Sequence, residues 1–445
     1  MAYAYCAAHL PARELYIYGA GSRGRDLLQR IRLYRPDITV LGFIDSNKEG
    51  TDNGLHIHRF QQFALSERHK TACIVIASQY AMEIRASLLA EGFTDIWIYE
   101  TSGITALTES LFAHAPTPDK LTILDVGSRF CEGNFQEWDL LLPPEQLHVI
   151  GFDPGEGASE DARRHLEQRG VECEMYPLGL WSKKGTIPFY DIAPQGHASC
   201  YPLNEAFVKR LRYALADGPI TFDETRPVGK IDIEVDTLDT WWGNAKRTSP
   251  DFAKLDIQGG ELEVLKGGTA VLDELVGLKV EVWFAEFYKG APMFSDVDIF
   301  VRKHGFNYSI VPTDAWLPTI HGRKAAPVNT KRLGAFKANG QTVTADVFFL
   351  RDPIAMDFDE LCTAKFFTAH KMLALVALCE CFAQYDFALE LAQWLPDAFN
   401  RAGRQDDATW FARACDEGTK KYITLEKEES RHAAISSERA ESGSA

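Results

Sequence analysis

Hydrophobic and polar residues alternate along the first hundred residues in the manner of strands separated by helices. Short apolar runs rich in β-branched and aromatic residues begin near Leu15, and again at TVLGFID, CIVIAS and DIWIY. Apolar positions at helical spacing separate several of these runs, which is the pattern of parallel βαβ units. We therefore expect residues 12–105 to form a small α/β domain around a parallel sheet.

A second alternation begins after Pro116 and Pro118, which interrupt the strand pattern. Strands are predicted near 121–127, 147–153, 171–177, 252–258, 277–284, 306–311 and 345–351. Helices are predicted at 157–169, 260–274 and 295–304. The segment 190–250 contains several prolines and follows neither pattern, so we expect an irregular insertion on the substrate side of a site. Residues 118–353 are thus predicted to form a seven-stranded α/β domain.

From about residue 355 the pattern becomes wholly helical. Leu375, Cys379 and Phe382 recur at helical spacing, which predicts a helical region over 355–425. The segment 426–445 is polar and is predicted to be disordered. A single helix pair does not establish a repeat array, and these helices are candidates for binding a protein partner or for self-association. The predicted fold class is α/β, with two such domains followed by a C-terminal α-helical segment.

Composition and charge narrow the classes of partner. A chain of 445 residues favours two or three domains, and 46% apolar with 25% charged residues is typical of a globular protein. The formal charge of −16 argues against nucleic acid as a partner and favours a small or neutral substrate.

Cysteine spacing and the terminal sequence bear on compartment and metals. The nine cysteines are scattered, and Cys379 and Cys381 do not have zinc-site spacing. The start, MAYAYCAAHL, lacks the features of a signal peptide, and no run is long enough to predict a membrane span. We expect a cytoplasmic protein with no membrane span. Asp232, Asp236 and Asp239 suggest no firm ligand geometry, so no metal site is predicted.

A glycine motif lies at the first strand-to-helix turn. Gly19, Gly21 and Gly24 form G-x-G-x-x-G, and Asp45 ends the next strand about 21 residues later. This context is typical of dinucleotide or nucleotide-sugar binding, so NAD or a nucleotide sugar is the candidate ligand. The domain resembles the small Rossmann-like domains of sugar-modifying proteins. It lacks a catalytic Tyr/Lys pair and is short for a dehydrogenase, which favours a binding or regulatory module; alternatively, the glycines serve only close packing.

Two strand ends of the second domain point to a nucleoside-containing cofactor. The first strand ends in Asp125, Val126 and Gly127, at the sheet edge where open α/β sheets bind ligands. The second ends in Asp153, about 26 residues beyond Gly127, where an acidic side chain takes ribose hydroxyls. Taken alone, an Asp at a strand end is more often a helix cap or a turn former than a nucleotide contact. Three further candidate cofactor contacts are Ser128, Leu178 and Gly179.

A later segment, FAKLDIQGGELEVLKGG, predicts a buried strand, a glycine turn and an amphipathic helix. With TLDTWW before it and VEVWF after it, this string resembles the FkbM family of S-adenosylmethionine-dependent methyltransferases over roughly residues 120–350. Lys254 through Gly267 match the family string, with Gly260 at its small position. The resemblance implies a Rossmann-like methyltransferase domain that uses S-adenosyl-L-methionine and methylates a hydroxyl, commonly of a glycan or other small molecule.

One departure from the family concerns the loop after the first strand. Many members have a second glycine soon after the first, whereas in SRFCEGN the next glycine is Gly133. We therefore expect this loop to be longer or differently bent.

Methyl transfer requires a held donor, an aligned nucleophile and, usually, removal of a proton. The candidate catalytic residues are Asp256, Glu281 and His197. Asp256 ends the fourth strand and is expected to contact the cofactor as well. Glu281 lies in an apolar strand, where a carboxylate needs a partner, either catalytic or structural. His197 has the side chain best suited to a base at neutral pH, and Glu261 opens a helix, where a carboxylate is favoured without catalysis.

Two other functional classes remain open at the level of sequence. One is a nucleotide-responsive regulatory protein in which the altered SRFCEGN loop has lost catalysis. The other is an NAD-linked sugar-modifying protein that works through the first domain.

Overall fold

The computed structural model describes residues 2–4, 10–11, 13–34, 37–66, 69–78, 80–99, 105–117, 119–129, 136, 138, 142–193, 196–215, 218–221, 225–245, 249–310, 319–323 and 341–442. The chain divides into two compact units. The first comprises Met1–Pro118, Phe135–Leu142 and Val376–Ala445, and the second comprises Asp119–Asn134 and Pro143–Leu375. The predicted fold class, α/β with C-terminal helices, is confirmed.

A mostly parallel sheet forms the centre of the first unit. Its strands are β1 (Ala2–Ala4), β2 (Glu14–Tyr18), β3 (Thr39–Asp45), β4 (Gly50–Asp52), β5 (Leu55–Arg59), β6 (Ile74–Ile76) and β7 (Ile96–Tyr99), in the order β1-β7-β6-β2-β3-β5-β4. Only β4 and β5 pair antiparallel. Leu15 and Ile17 are buried on one face, and Tyr18 and Ile44 belong to a separate buried cluster. The strands missed by the sequence pattern are short, at three to five residues.

Helices from both ends of the chain belong to this unit. They are α1 (Ser22–Tyr34), α2 (Phe60–Ala64), α3 (Ala81–Ala90) and α4 (Ala106–His114). Near the C-terminus, α13 (Tyr385–Arg401) and α14 (Gln405–Ser442) pack against α4. The buried carboxylate of Glu380 accepts hydrogen bonds from the amides of Leu107 and Thr108, at 3.0 and 2.8 Å. The C-terminal helices from Val376 onward are therefore part of the N-terminal compact unit rather than a separate region.

Helix α14 runs through most of the segment 426–445 for which disorder was predicted. Its sequence beyond Gly418 contains neither glycine nor proline and is rich in Ala, Glu, Lys and Arg, which are strong helix formers. Polarity alone therefore misled the prediction. Residues 443–445 lie outside the described part.

The second unit contains a large mixed sheet. Its strands are β8 (Leu121–Val126), β9 (Leu147–Phe152), β10 (Glu172–Tyr176), β13 (Leu211–Leu215), β14 (Gly218–Thr221), β16 (Phe252–Leu255), β17 (Gly277–Trp283), β18 (Phe306–Ile310), β19 (Thr319–Arg323) and β20 (Gln341–Arg351). The order is β10-β9-β8-β16-β17-β20-β19-β13-β14, with β18 also paired to β20. The seven predicted strands are all present, and β13, β14 and β19 extend the sheet.

Helices of this unit alternate with the strands as expected. They are α5 (Glu156–Gln168), α6 (Glu205–Val208), α7 (Leu238–Ala245), α8 (Glu261–Lys266), α9 (Thr269–Leu272), α10 (Phe294–Lys303) and α11 (Phe358–Thr363), with α12 (Ala369–Cys381) crossing the boundary between the units. Apolar residues of α8, α9 and α10 pack on the sheet strands in one buried cluster that includes Leu265, Leu272 and Val297. The predicted helix over 260–274 is thus two short helices.

Much of the described part of the segment 190–250 forms regular strands and helices, which corrects the prediction of an irregular insertion. Strand β12 (Gly185–Ala193) pairs along its length with β15 (Arg226–Asp236), and β11 (Gly179–Leu180) pairs with the end of β15. Pro227 faces Ile192 at a register shift in this ribbon, a position where a sheet tolerates proline. Pro227, one of the prolines that suggested irregular structure, therefore lies at a compatible point of a β-ribbon.

Among the described residues, no helix is both long and apolar enough to span a membrane.

Candidate active site

Neighbouring parallel strands of the second unit end at the same level. Val126 on β8 is paired with Phe152 on β9 and with Leu255 on β16. Gly127, Asp153 and Asp256, which follow these residues, therefore lie along one edge of the sheet. Strand β8 is the point where the strand order reverses, because β9 lies on one side of it and β16 on the other. Open α/β sheets bind ligands outside the carboxyl ends of their strands at such a point.

Gly127 brings the loops after β8 and β16 together. Its φ is +83°, and a Cβ atom placed on it would lie 1.9 Å from the carbonyl oxygen of Asp256. Its own N–H donates to the carbonyl of Phe152 at 2.9 Å. The sequence suggested glycine here so that a ligand could approach the backbone; the structure shows that the approach of Asp256 already requires it.

A buried lysine that the sequence analysis did not select connects the same strand ends. The Nζ atom of Lys254 lies 3.1 Å from Oδ1 of Asp125, 3.6 Å from Oδ2 of Asp256 and 3.1 Å from the carbonyl oxygen of Gly127. Burial works against the charge of Lys254, but Asp125 and Asp256 outweigh burial and raise its pKa. A lysine inside the apolar strand FAKL was the available signal, since an unpaired buried charge is costly.

Asp153 is held at the end of β9 and is 7% exposed. Its Oδ1 accepts the N–H of Gly155 at 2.8 Å, and Nε of Arg129 lies 4.0 Å from its Oδ2. Burial raises the pKa of Asp153, while the Gly155 N–H and the charge of Arg129 act in the opposite direction. Arg129 is a second residue that the sequence analysis did not select.

Three other candidate cofactor contacts lie near these strand ends. The hydroxyl of Ser128 is buried and has no hydrogen-bond partner within the described ranges. Leu178 packs on the buried cluster that contains Trp242. Gly179 lies in β11, and a Cβ atom on it would be 2.8 Å from Val235, so packing against β15 accounts for this glycine.

Asp256 and Glu281 are bridged by an amide side chain. The Nε2 atom of Gln258 donates to Oδ1 of Asp256 at 2.9 Å and to Oε2 of Glu281 at 2.8 Å. Glu281 is on β17, where Val280 is paired with Leu255 of β16, so the two carboxyl groups are level on adjacent strands. The structure thus brings these two predicted site residues together.

The pKa values of the two carboxyl groups are shifted in opposite directions. Burial raises the pKa of Glu281 well above its ordinary value, and the negative charge of Asp256 raises it further. Burial also opposes the ionised form of Asp256, but Lys254 and Gln258 outweigh it and hold the pKa of Asp256 below its ordinary value. Glu281 is therefore the weaker acid of the two, and Asp256 is the one that stays ionised.

Glu261 closes the glycine turn. Its Oε1 accepts the N–H groups of Ile257 and Gly259, at 2.8 and 3.1 Å. Burial raises the pKa of Glu261 to about 7, against the opposing effect of these backbone bonds. This geometry fits the structural role at a helix start that the sequence suggested.

His197 is connected to the site through its main chain. Its carbonyl oxygen and Oε1 of Gln258 lie 3.0 and 2.9 Å from the hydroxyl of Tyr288, and they share the single hydrogen of that hydroxyl. Its ring stacks near Phe287, with centroids 6.1 Å apart.

The glycine motif of the first unit is closely packed. A Cβ atom on Gly19 would be 2.7 Å from the carbonyl of Ala77, and one on Gly24 would be 1.9 Å from that of Gly19, whereas Gly21 faces open space. Oδ2 of Asp45 accepts the N–H of Ala20 at 3.0 Å. Packing therefore explains two of the glycines, and Asp45 braces the loop.

Comparison with known proteins bears on the second unit. Residues 133–308 match the family model described as the methyltransferase FkbM domain. Over these residues the chain is similar to FkbM methyltransferases. The match includes Asp153, Asp256 and Glu281, whereas Asp125 and Gly127 precede it.

A curated relative agrees with the FkbM match. The chain is 25% identical over 194 residues to the 2-O-methyltransferase NoeI of Sinorhizobium fredii (strain NBRC 101917 / NGR234), a match that covers 42% of this chain and 76% of the relative. No solved structure matches. Family and relative together support the predicted methyltransferase activity. Most of the loop that departs from the family string, including Gly133, lies outside the described residues.

Proposed function

We propose that the protein is an S-adenosylmethionine-dependent O-methyltransferase that acts on a hydroxyl of a sugar or a related small molecule. The proposal rests on the positions of two carboxyl groups. Asp256, which is ionised and one-third exposed, and the buried Asp153 lie along the same edge of the sheet, where the strand order reverses. The FkbM match covers both residues.

The residues at this edge fit the proposed cofactor. Asp153 uses only Oδ1 in the hydrogen bonds of the described residues, which leaves Oδ2 to accept from a ribose hydroxyl. The buried hydroxyl of Ser128 has no protein partner in the same ranges, so a polar group of a ligand would satisfy it. Bound S-adenosylmethionine supplies an activated methyl group on its sulfonium.

Asp256 is the residue best placed to receive the proton of the acceptor hydroxyl. Its carboxylate is ionised, is fixed by Gln258 and lies beside Lys254. The proton on a hydroxyl oxygen becomes strongly acidic as that oxygen gains a methyl group. A weak base such as a carboxylate is therefore sufficient to remove it. Burial raises the pKa of Glu281 well above its ordinary value, and Asp256 is therefore assigned as the base. His197 remains an alternative base until its contribution is measured.

The acceptor class rests on chemistry and on the relative. The net charge of −16 favours a neutral or cationic acceptor over a polyanion. The relative's name describes methylation at a 2-hydroxyl position. A neutral sugar hydroxyl meets both conditions.

The test uses labelled S-adenosylmethionine and a panel of neutral mono- and oligosaccharides. We expect label in a methyl ether with the wild-type chain and at least about a hundredfold less with Asp256→Asn. Calorimetry with S-adenosylmethionine alone separates two failures. Binding without transfer to any acceptor would favour the regulatory alternative, and absence of binding would refute the cofactor assignment.

Ligand binding in the first unit stays a prediction. Gly21 has open space beside it, which leaves the start of α1 accessible to a phosphate. Fluorescence titration with NADH and calorimetry with a nucleotide sugar test this site, with Gly21→Val as the blocking variant.

A further inference from the structure

Four contacts fix the side chain and backbone of Gln258. Its Nε2 donates to both Asp256 and Glu281, and its Oε1 accepts the hydroxyl of Tyr288. Its carbonyl oxygen accepts the hydroxyl of Ser199 at 2.6 Å. Few side chains of this type are constrained at both ends and through the backbone, so the amide is preorganised rather than mobile.

The backbone of Gln258 is in the left-handed region, with φ +61°. A non-glycine residue there costs about 1 kcal/mol or more, and such strain persists only where surrounding contacts determine it. Ser199 and Tyr288, both almost fully buried, supply those contacts. Glycine would adopt this backbone conformation without strain. The presence of Gln258 therefore indicates that its side-chain amide is needed at this position.

Asp256 determines which end of the amide faces the carboxyl groups. The carboxylate of Asp256 can only accept hydrogen bonds, so the NH₂ group points to Asp256 and Glu281, and the amide oxygen faces the hydroxyl of Tyr288 at 2.9 Å. An NH₂ group donates two hydrogen bonds, and here each carboxyl group accepts one. The amide therefore neutralises part of the repulsion between two carboxyl groups without adding a proton.

We propose that Gln258 is a positioning residue for methyl transfer: its amide, held between Tyr288 and Glu281, keeps Asp256 in the geometry that receives the acceptor proton. The inference rests on the proposed function. Gln258 acts through Asp256, because nothing in the geometry requires it to touch the acceptor. The charged groups around the pair are Lys254, Lys279, Asp125, Glu261 and Asp346.

The decisive variant is Gln258→Glu, which keeps the shape of the side chain and replaces the NH₂ donor by an oxygen. At about pH 8 three carboxyl groups would then share one site, so kcat should fall about a hundredfold. As the pH is lowered, the introduced acid gains a proton and again donates a hydrogen bond, so kcat should recover relative to wild type. A merely structural residue would not give this pH-dependent recovery.

Two further variants complete the test. Tyr288→Phe removes the hydroxyl that faces the amide oxygen and should lower kcat about tenfold with little change in KM. Gln168→Glu makes the same chemical change at an exposed position of α5 and should leave kcat unchanged. S-adenosylmethionine affinity, measured by calorimetry, should stay within about threefold in all three variants, since none alters Asp153 or Ser128.

The possible outcomes distinguish failure of the positioning role of Gln258 from failure of the proposed function. If the wild-type chain transfers methyl groups and Gln258→Glu keeps a wild-type kcat at about pH 8, the positioning role is wrong. A low kcat in Gln258→Glu that does not recover with falling pH also contradicts it. If Gln258→Glu does not fold, an unchanged kcat in Tyr288→Phe overturns the inference. If the wild-type chain transfers no methyl group, the proposed function itself fails.

Discussion

The α-carbon of Gly127 and the carbonyl oxygen of Asp256 are so close that no side chain fits between them. A Cβ atom on Gly127 would lie 1.9 Å from that oxygen, and the φ of +83° is itself unfavourable for other residues. This contact joins the two loops that border the candidate cofactor site.

Gly127→Ala should therefore damage both stability and ligand binding. We expect the free energy of unfolding to fall by about 2 kcal/mol or more, because the backbone of one loop must move. Urea unfolding measures the first effect and calorimetry with S-adenosylmethionine the second. Gly157→Ala is the matched control, because Gly157 lies in α5 and has nothing within 4 Å of its Cβ position. This variant should raise the free energy of unfolding by about 0.5–1 kcal/mol. Equal stability of the two variants would contradict the close approach.

Asp153→Ala should weaken binding of S-adenosylmethionine at least about tenfold, because the proposed ribose acceptor is lost. Asp153→Asn retains an oxygen acceptor and should bind with intermediate affinity. Calorimetry provides both values. Unchanged affinity in Asp153→Ala would remove Asp153 from the cofactor site and leave it as a brace for Gly155.

The pH dependence of kcat/KM should distinguish Asp256 from His197 as the proton acceptor. Lys254 and Gln258 hold the pKa of Asp256 below its ordinary value of 3.8, so the ionised form is present throughout the neutral range. We expect no loss of activity between about pH 8 and about pH 5.5 that depends on His197. A fall centred near pH 6.5 that disappears in His197→Gln would instead identify the histidine as the base.

Glu380 predicts a pH-dependent stability of the first unit. Burial raises its pKa to about 7 from an ordinary 4.5, although Thr108, Tyr422 and two backbone amides act against the shift. The folded state then binds more protons than the unfolded state between these values, so this group's contribution to stability falls as pH rises from about 4.5 to about 7 and is constant above.

Hydrogen exchange at the amides of Leu107 and Thr108 measures this effect locally. Both amides donate to Glu380, so their protection, corrected for intrinsic exchange rates, should decline across the same pH range. In Glu380→Gln the two amides should be less protected overall. Their protection should no longer depend on pH in this range, because the glutamine side chain does not titrate. Parallel profiles for the two proteins would show that Glu380 is already ionised when folded.

The sequence was sufficient for those features that depend on strand position. Because the carboxyl ends of parallel strands meet at one edge, the positions of the strands in the sequence are enough to bring Gly127, Asp153 and Asp256 together. Glu281 followed from the cost of a carboxylate in an apolar strand. The same reasoning applied to Lys254 would have predicted its pairing with Asp125.

Other features depend on tertiary contacts that sequence patterns do not encode. The bridge from Gln258 to Glu281 and Tyr288 joins residues that are 23 and 30 positions apart. The left-handed backbone conformation of Gln258 has no sequence signal, because the residue is not a glycine. The packing of α4 against α13 and α14 likewise requires a long return of the chain. Helix propensity, however, was readable in α14 and should have been preferred to polarity.

Transfer of labelled methyl from S-adenosylmethionine to neutral saccharides, compared between the wild-type chain and Asp256→Asn, tests the central claim most directly. The account predicts a labelled methyl ether with the wild type and at least about a hundredfold less product with Asp256→Asn, at equal S-adenosylmethionine affinity. Full turnover by Asp256→Asn would contradict the account. A wild-type chain that binds the cofactor but methylates no saccharide hydroxyl would contradict it as well.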